Sequence, residues 1–498
     1  MIWKGYTEIM SDSPRDRPIV PRARRTALFG WFDRRTGLDS VLRKALDEPI
    51  PGGARFAYVF GSALLFIFIS QVITGIFLAL YYVPSADHAH TTVAYITKEV
   101  TSGSFLRSIH AYGSSAMVIL LLLHVTQTFL YGSYKGRREL LWLSGCVLFA
   151  LVLCMAFTGY LLPWDQKAYF ATAVGTNIPG EVPLIGPWIK SLMRGGVEMG
   201  TLTLSRFFVA HVLMIPAAIF GFIALHVYLF RMAGSAGPID EDPVSPTQPS
   251  EPFYPRQVVI DALFALAIII VLGLFAHFMP FELGPKANPA DTRYLPRPEW
   301  YYIPVFQWLK YWPGSLAFLG VVVIPGVVAF LFASLPFLDR RMERRPWKRP
   351  VAVGTYVFIF LALFGLGAVS YRNDHNNPGY AAQLIAQQKA AEEFMHQPFE
   401  PELSQASLAS ANSALADPIA ARGEKVYQAQ SCNACHGDGG SGTPAAPKLI
   451  GIHARFSADQ LTALLRSPSA KMTAGGMSPL ELSADDMAAL VAYLRSLK

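Results

Sequence analysis

Seven long apolar runs, separated by shorter polar stretches, dominate the first three quarters of the chain: about 56–82, 106–131, 140–162, 206–231, 257–280, 315–337 and 351–371. Each is long enough to cross a bilayer as a helix, so the pattern predicts an all-α, polytopic membrane fold. Ahead of them, residues 1–55 are polar and Arg-rich. Within that segment 38–48 (LDSVLRKALDE) is patterned as an amphipathic surface helix, and no apolar core of signal-peptide type is present. Behind them, 373–417 shifts to Ala, Gln, Glu and Ser and reads as a linker with helical pieces. Residues 418–498 form a small separate helical domain that closes on the amphipathic stretch LSADDMAALVAYLRSL.

Composition agrees with this division. The 498 residues are 52% hydrophobic and only 15% charged, whereas a soluble protein of this size carries nearer a quarter charged. The net charge of +7 would suit nucleic acid, but the basic residues concentrate in short loops between apolar runs, and no nucleic-acid binding is expected. The loop 132–139 carries Lys135, Arg137 and Arg138, and 338–350 carries six Lys/Arg. With the basic N-terminus, they place that terminus and the loops after spans two, four and six in the cytoplasm. An odd number of spans then puts the C-terminal domain outside.

Two runs carry paired histidines: His110 and His124 in the second, His211 and His226 in the fourth, 14 and 15 residues apart. One intramembrane His is more often a packing residue, but four in matched pairs point to a site. Either spacing is about four helical turns, so each helix offers an upper and a lower nitrogen on roughly one face. The predicted topology makes the two helices parallel, with His110 and His211 in the outer half and His124 and His226 in the inner half. Two stacked haems clamped between them follow as the working reading. Gly61 and Gly75 in span one, and Gly145 and Gly159 in span three, repeat the 14-residue interval. Glycine in a membrane helix usually serves helix packing; at these heights it also lets a flat macrocycle approach the backbone. Residues 56–232 are thus expected to form a four-helix di-haem bundle, followed by three helices over 233–372.

Two further motifs carry chemistry. Cys432, Cys435 and His436 form CNACH, the attachment signal of a c-type haem, with two thioether cysteines and one axial His. The sixth ligand is expected downstream: Met477 first, Met472 next, with His453 a further candidate and Met487 read as packing. Cys146 and Cys154 lie in an apolar run and read as small core residues. Glu299, in the loop segment RPEWYY, is flanked by Pro298, Trp300 and Tyr301 beside the membrane surface. A carboxylate so placed is suited to accept a proton from a bound apolar reductant.

The four histidines, the paired glycines, GYLLPWDQ and ANPADTRYLPRPEWYYIPVFQ strongly resemble cytochrome b of the Rieske/cytochrome b (cytochrome bc) quinol oxidoreductases over roughly residues 25–372. Residues 418–498 resemble a class I cytochrome c domain. The 15-residue second spacing and IPVFQWLK are similar to the chloroplast-type branch. That branch has a haem-holding cysteine near the inner end of span one, where this chain has Val59, so no covalent extra haem is expected there.

The resemblance implies two noncovalent b haems, one covalent c haem, and quinol oxidised at an outer site. One electron would leave through a Rieske iron–sulfur partner to a c-type haem; the other would cross the bundle to an inner quinone. Glu299 would accept the proton with Tyr301 as helper, and Arg231 and Asp261 would flank the inner quinone. Arg107 and Arg206 would neutralise haem propionates. It further implies a bacterial plasma membrane, a dimeric complex in lipid and a downstream electron acceptor. Two other readings compete. A di-haem anchor relaying electrons between a dehydrogenase and quinone would leave PEWY and PWDQ without a role. A haem-binding sensor or a transporter would lack a bis-His b-haem spectrum.

Overall fold

The computed structural model describes residues 26–240, 249–291, 293–401, 418–443, 446–474 and 476–497. It divides into two compact units, Met1–Glu400 and Pro401–Lys498.

The larger unit is helical. Two short helices, α1 (Ala27–Thr36) and α2 (Leu38–Leu46), precede the bundle, and α2 lies where the amphipathic pattern predicts it. The first four spans are α3 (Phe56–Ala79), α5 (Gly103–Leu130), α6 (Glu139–Tyr160) and α9 (Thr201–Ala233). Between them lie α4 (Ala89–Lys98), α7 (Gln166–Asn177) and α8 (Gly186–Arg194). A fifth span, α10 (Arg256–Phe278), packs against α5 and α3. Ahead of it Pro49–Pro51 pairs antiparallel with Ser250–Pro252, tying the entry of the first span to that of the fifth. The shared core joins Ala63, Ile67 and Phe68 to Met117, Leu120, Ile219 and Leu272. Most other apolar side chains point outward, as lipid requires and water would not tolerate.

Among the described residues, six helices are long and apolar enough to cross a membrane, the sixth being Pro350–Asn376. The expected run 315–337 is not one of them. It contains a shorter apolar helix, α12 (Leu319–Ala333), following the short α11 (Ile303–Leu309). The physical reason lies at its ends: Pro313 and a 3-10 turn over Gly314–Leu316 precede it, and it stops at Ser334, with Pro336 in the turn that follows.

In the segment expected to be a linker with helical pieces from 373, the helical part is extensive. The last span, α13 (Pro350–Asn376), runs past 372, and after the N-cap Asn377 a further helix, α14, covers Pro378–His396. Ala, Gln, Glu and Lys are strong helix formers, and Pro378 sits where a first-turn proline is tolerated. Residues 402–417 of the expected linker lie outside the described residues.

The smaller unit packs α15 (Pro418–Ala429) against the closing helix α19 (Ala484–Ser496). Between them come α16 (Cys432–His436), α17 (Ala458–Arg466) and α18 (Ala470–Ala474). A Cβ on Gly423 would collide with the Ala489 carbonyl, so glycine sets how closely the first and last helices cross. Tyr427, Leu461, Met487, Leu490 and Leu494 fill the core, which puts Met487 in packing as expected.

Candidate functional site

The four histidines meet in two pairs. The His110 and His211 rings have centroids 6.2 Å apart, and His124 lies within electrostatic reach of His226. A metal bonded at about 2 Å to one nitrogen of each imidazole separates the ring centroids by about 6 Å. The His110–His211 pair therefore fits a six-coordinate iron between the rings.

Each of the four glycines faces one of the rings. A Cβ on Gly61 would lie 3.7 Å from His124, on Gly75 3.2 Å from His110, and on Gly145 3.3 Å from His226. On Gly159 it would overlap the His211 ring. Gly159 thus makes room for the His211 ring, Gly75 and Gly145 leave a tight fit, and Gly61 leaves only an ordinary contact.

Hydrogen bonds settle which ring nitrogen is available. The Nδ1 atom of His110 is 2.9 Å from Thr74 Oγ1, which already donates to the Ser70 carbonyl and so accepts from the ring. His226 Nδ1 is 2.9 Å from Ser144 Oγ, which likewise donates to Leu141. His211 Nδ1 is 3.1 Å from the Met155 carbonyl, with Thr158 Oγ1 at 3.4 Å. With Nδ1–H donating, the Nε2 lone pair is left for a metal. These hydroxyls were missed in the motif reading, although a signal was present: Thr74, Ser144 and Thr158 each directly precede one of the glycines. Only Gly61 follows an apolar residue, Phe60.

The fourth span also explains its 15-residue spacing. It is continuous but contains a π turn over Ala210–Met214 that includes His211. A π turn takes up one extra residue. His211 and His226 therefore keep the rise of the 14-residue pair on α5.

Above the His110–His211 pair opens a cavity of about 1250 Å³, lined by both rings, Gly75, Gly159, Glu299 and Tyr301. This exceeds an ordinary small-molecule pocket of about 300–1,000 Å³, leaving room for more than one guest. Buried at its wall are two donors without partners, Arg107 Nε and Gln71 Nε2. An orphaned guanidinium nitrogen beside two metal-ready imidazoles suits an anionic group such as a haem propionate. Arg206 does not join it; its guanidinium donates to the Leu192 carbonyl on α8.

PWDQ and PEWY build the roof. Asp165 accepts from its own helix N-terminus at Ala168 and from Gly284, while Gln166 is hydrogen-bonded through backbone and side chain to Pro285 and Asn288. PWDQ is therefore chiefly a clasp between loops. Glu299 Oε1 is 2.8 Å from Lys167 Nζ, and Tyr302 donates to the Leu153 carbonyl. Burial, then the charge of Glu299, raises the Tyr301 phenol above its ordinary value, keeping it a neutral donor.

At the opposite end, Arg231 pairs with Glu48 at 2.7 Å. Asp261 accepts from Ser62 at 2.6 Å and from Gln257 at 2.8 Å. Both expected quinone residues thus have protein partners.

In the smaller unit Cys432 and Cys435 are free thiols. His436 Nδ1 is 2.9 Å from the Pro447 carbonyl, again leaving Nε2 available. Met477 and Cys432 both pack against the domain core, whereas Met472 is not part of that cluster. This donor set suits a covalently held haem.

Family models agree with this division. Cytochrome b/b6/petB matches residues 45–234, cytochrome b(C-terminal)/b6/petD matches 286–387, and cytochrome c matches 420–498. The cytochrome bc complex cytochrome b subunit of Chlorobaculum thiosulfatiphilum is 36% identical over 72% of this chain and 84% of its own length. The menaquinol:cytochrome c reductase cytochrome b subunit of Geobacillus thermodenitrificans is 40% identical over 43% of this chain and 98% of its own. A solved chain of a hyperthermophilic respiratory Complex III superposes with a TM-score of 0.63 at 28% identity, covering 74% of this chain and 96% of that one. The chain belongs to the cytochrome b family of the cytochrome bc complexes and carries a cytochrome c domain at its C-terminal end.

Proposed function

We propose that the chain is the cytochrome b/c subunit of a quinol:cytochrome c oxidoreductase of a bacterial plasma membrane, working with a Rieske iron–sulfur protein in a dimeric complex. The observation that carries this reading is a single cavity shared by the His110–His211 pair, Glu299 and Tyr301. When bound, two b haems and one c haem supply one-electron carriers. The chain's own residues do the rest. His110 with His211, and His124 with His226, would hold iron, through Nε2 where Nδ1 is already hydrogen-bonded. Cys432, Cys435 and His436 hold the c haem, with Met477 completing its coordination.

Quinol binds beneath the PEWY loop, where Glu299, paired with the Lys167 ammonium, takes one hydroxyl proton and releases it to the outer solvent, where the second proton also goes. Tyr301 stays protonated and orients the second oxygen. One quinol electron leaves to the Rieske partner and the other crosses the bundle, releasing protons outside and consuming them inside. Arg231 and Asp261 serve the inner quinone only when Glu48 and Ser62 yield. On this reading the short α12 serves as a seventh crossing with its flanking turns, and the c domain would lie outside.

The test is a pyridine haemochrome assay on the purified complex, with two b haems per c haem expected. Glu299→Gln should slow quinol oxidation about a hundredfold with all haem spectra intact. Absence of b haem, or unchanged turnover in the variant, would overturn the proposal.

A further inference from the structure

Helix α14 is not used by the chemistry above, yet it is held firmly at the same site. At its start, Asp374 at the end of α13 forms a two-point ion pair with Arg297, two residues before Glu299; the Arg297 Nε–Asp374 Oδ2 bond is 2.7 Å. Asn377 then caps α14 by accepting from Gly379 and Tyr380. At its far end, Lys98 of α4 donates to the Phe394 and Gln397 carbonyls at 2.6 and 2.7 Å, capping the C-terminus with a cation. Phe394 and Met395 pack with Val93, Ala94 and Leu283.

Between these anchors Leu384, Gln387 and Ala391 recur on one helical face, and all three line the cavity that holds His110, His211 and Glu299. Ile385, on another face, is 66% exposed. The Gln387 side-chain nitrogen is buried without a hydrogen-bond partner. A buried unmet donor in a cavity wall is costly unless something in the cavity completes it.

We infer that α14 is a wall of the quinol-oxidation cavity, and that Gln387 turns its amide N–H toward an oxygen of bound quinol. The inference rests on the reading of that cavity as the quinol site. A helix clamped at both ends fixes the cavity's width, so this segment sets which quinol head group and inhibitors fit. Quinol specificity is then set partly outside the spans, by residues that composition alone marks as a linker.

The test uses the intact complex and a short-chain quinol. Ala391→Trp fills the cavity from the α14 side and should raise KM at least tenfold with unchanged haem spectra. Gln387→Leu removes the donor at similar size and should raise KM about three- to tenfold, with kcat changing less. Ile385→Trp loads the outward face and should leave KM unchanged. If Ala391→Trp is silent while Glu299→Gln still slows turnover, the wall is refuted and the quinol site stands. An equal effect from Ile385→Trp would likewise overturn it, by showing general disturbance of the helix. If Glu299→Gln itself has no effect, the quinol reading fails and takes this inference with it.

Discussion

At the end of the bundle that holds the cavity, Arg107 and Gln71 keep donors without partners. At the opposite end, buried arginines and a buried lysine have theirs filled. Arg344 donates to the carbonyls of Tyr131, Ala236, Gly237 and Pro238. Arg349 donates to Phe129, Leu130, Arg344 and the Tyr134 hydroxyl. Together they satisfy the Leu130 and Tyr131 carbonyls at the C-terminal end of α5 and add a second bond to that of Phe129, which also accepts from Gly132. Lys135 pairs with Asp339 at 2.7 Å, and Tyr134 donates to the same carboxylate at 2.5 Å. A buried polar network that is complete specifies structure, whereas one left open waits for a guest. The contrast is one between the cations of the cavity end and those of the latch end, since the Tyr58 hydroxyl near Arg344 and Tyr131 is also buried without a partner.

The strongest way to break this comparison is to remove a ligand at the open end. His211→Leu should abolish one b haem, lowering the b-to-c ratio from two to one in the haemochrome assay. The chain should still insert, because the latch is untouched. Retention of both b haems would refute the pairing of His110 with His211.

The glycines offer a graded version of the same test. Gly159→Ala should push the His211 ring aside and cost about 1–3 kcal/mol, seen as partial haem loss or an altered spectrum at that pair. Gly61→Ala, whose added carbon would make an ordinary 3.7 Å contact with His124, should be spectrally silent. If both behave alike, close approach to the rings is not what these glycines provide.

At the latch end the expected loss is stability instead of chemistry. Asp339→Asn leaves Lys135 and Arg349 buried without their carboxylate, which should cost about 3 kcal/mol and lower the Tm of the complex. Burial opposes the Asp339 charge, but Lys135, Tyr134 and Arg349 outweigh it and hold the carboxyl below its ordinary value of 3.8. Its stabilisation is therefore complete above that value and fades as pH falls through the lower folded one. The variant should lose that acid-side dependence, while turnover per intact complex stays unchanged. A turnover defect matching the Tm change would erase the distinction between the two ends.

These contrasts also show what the sequence could disclose. The spans, the paired histidines and the glycines facing them were legible because they repeat at helical intervals. The basic loops were legible as charge, and charge was read as orientation. That Arg344 and Arg349 cap α5 was not, because no local pattern says which distant carbonyls lack partners. The shortened sixth run escaped because hydropathy counts residues and ignores the break at Ser334 ahead of Pro336. Helix α14 was legible as a helical piece but its place was not, because its inward face is Gln, Ala and Leu, too weak a stripe to distinguish a wall from a tether. The Ser/Thr–Gly pairs were in plain view, and only the ring contacts give the hydroxyls a purpose.

Those hydroxyls yield the smallest expected effect. A ring whose Nδ1–H is well accepted is a more basic ligand and favours ferric iron. Ser144→Ala should thus raise the midpoint potential of the haem held by His226. The Leu141 carbonyl also accepts from that ring, so the rise should stay on the order of tens of mV with no haem lost. His124 has no such hydroxyl, since Phe60 precedes Gly61. Phe60→Thr should then lower the same potential, provided the new side chain reaches the His124 ring as Thr74 reaches His110. Opposite signs from the two variants, read by redox titration of one b haem, would tie the hydroxyls to electronic tuning. Equal signs would reduce them to packing.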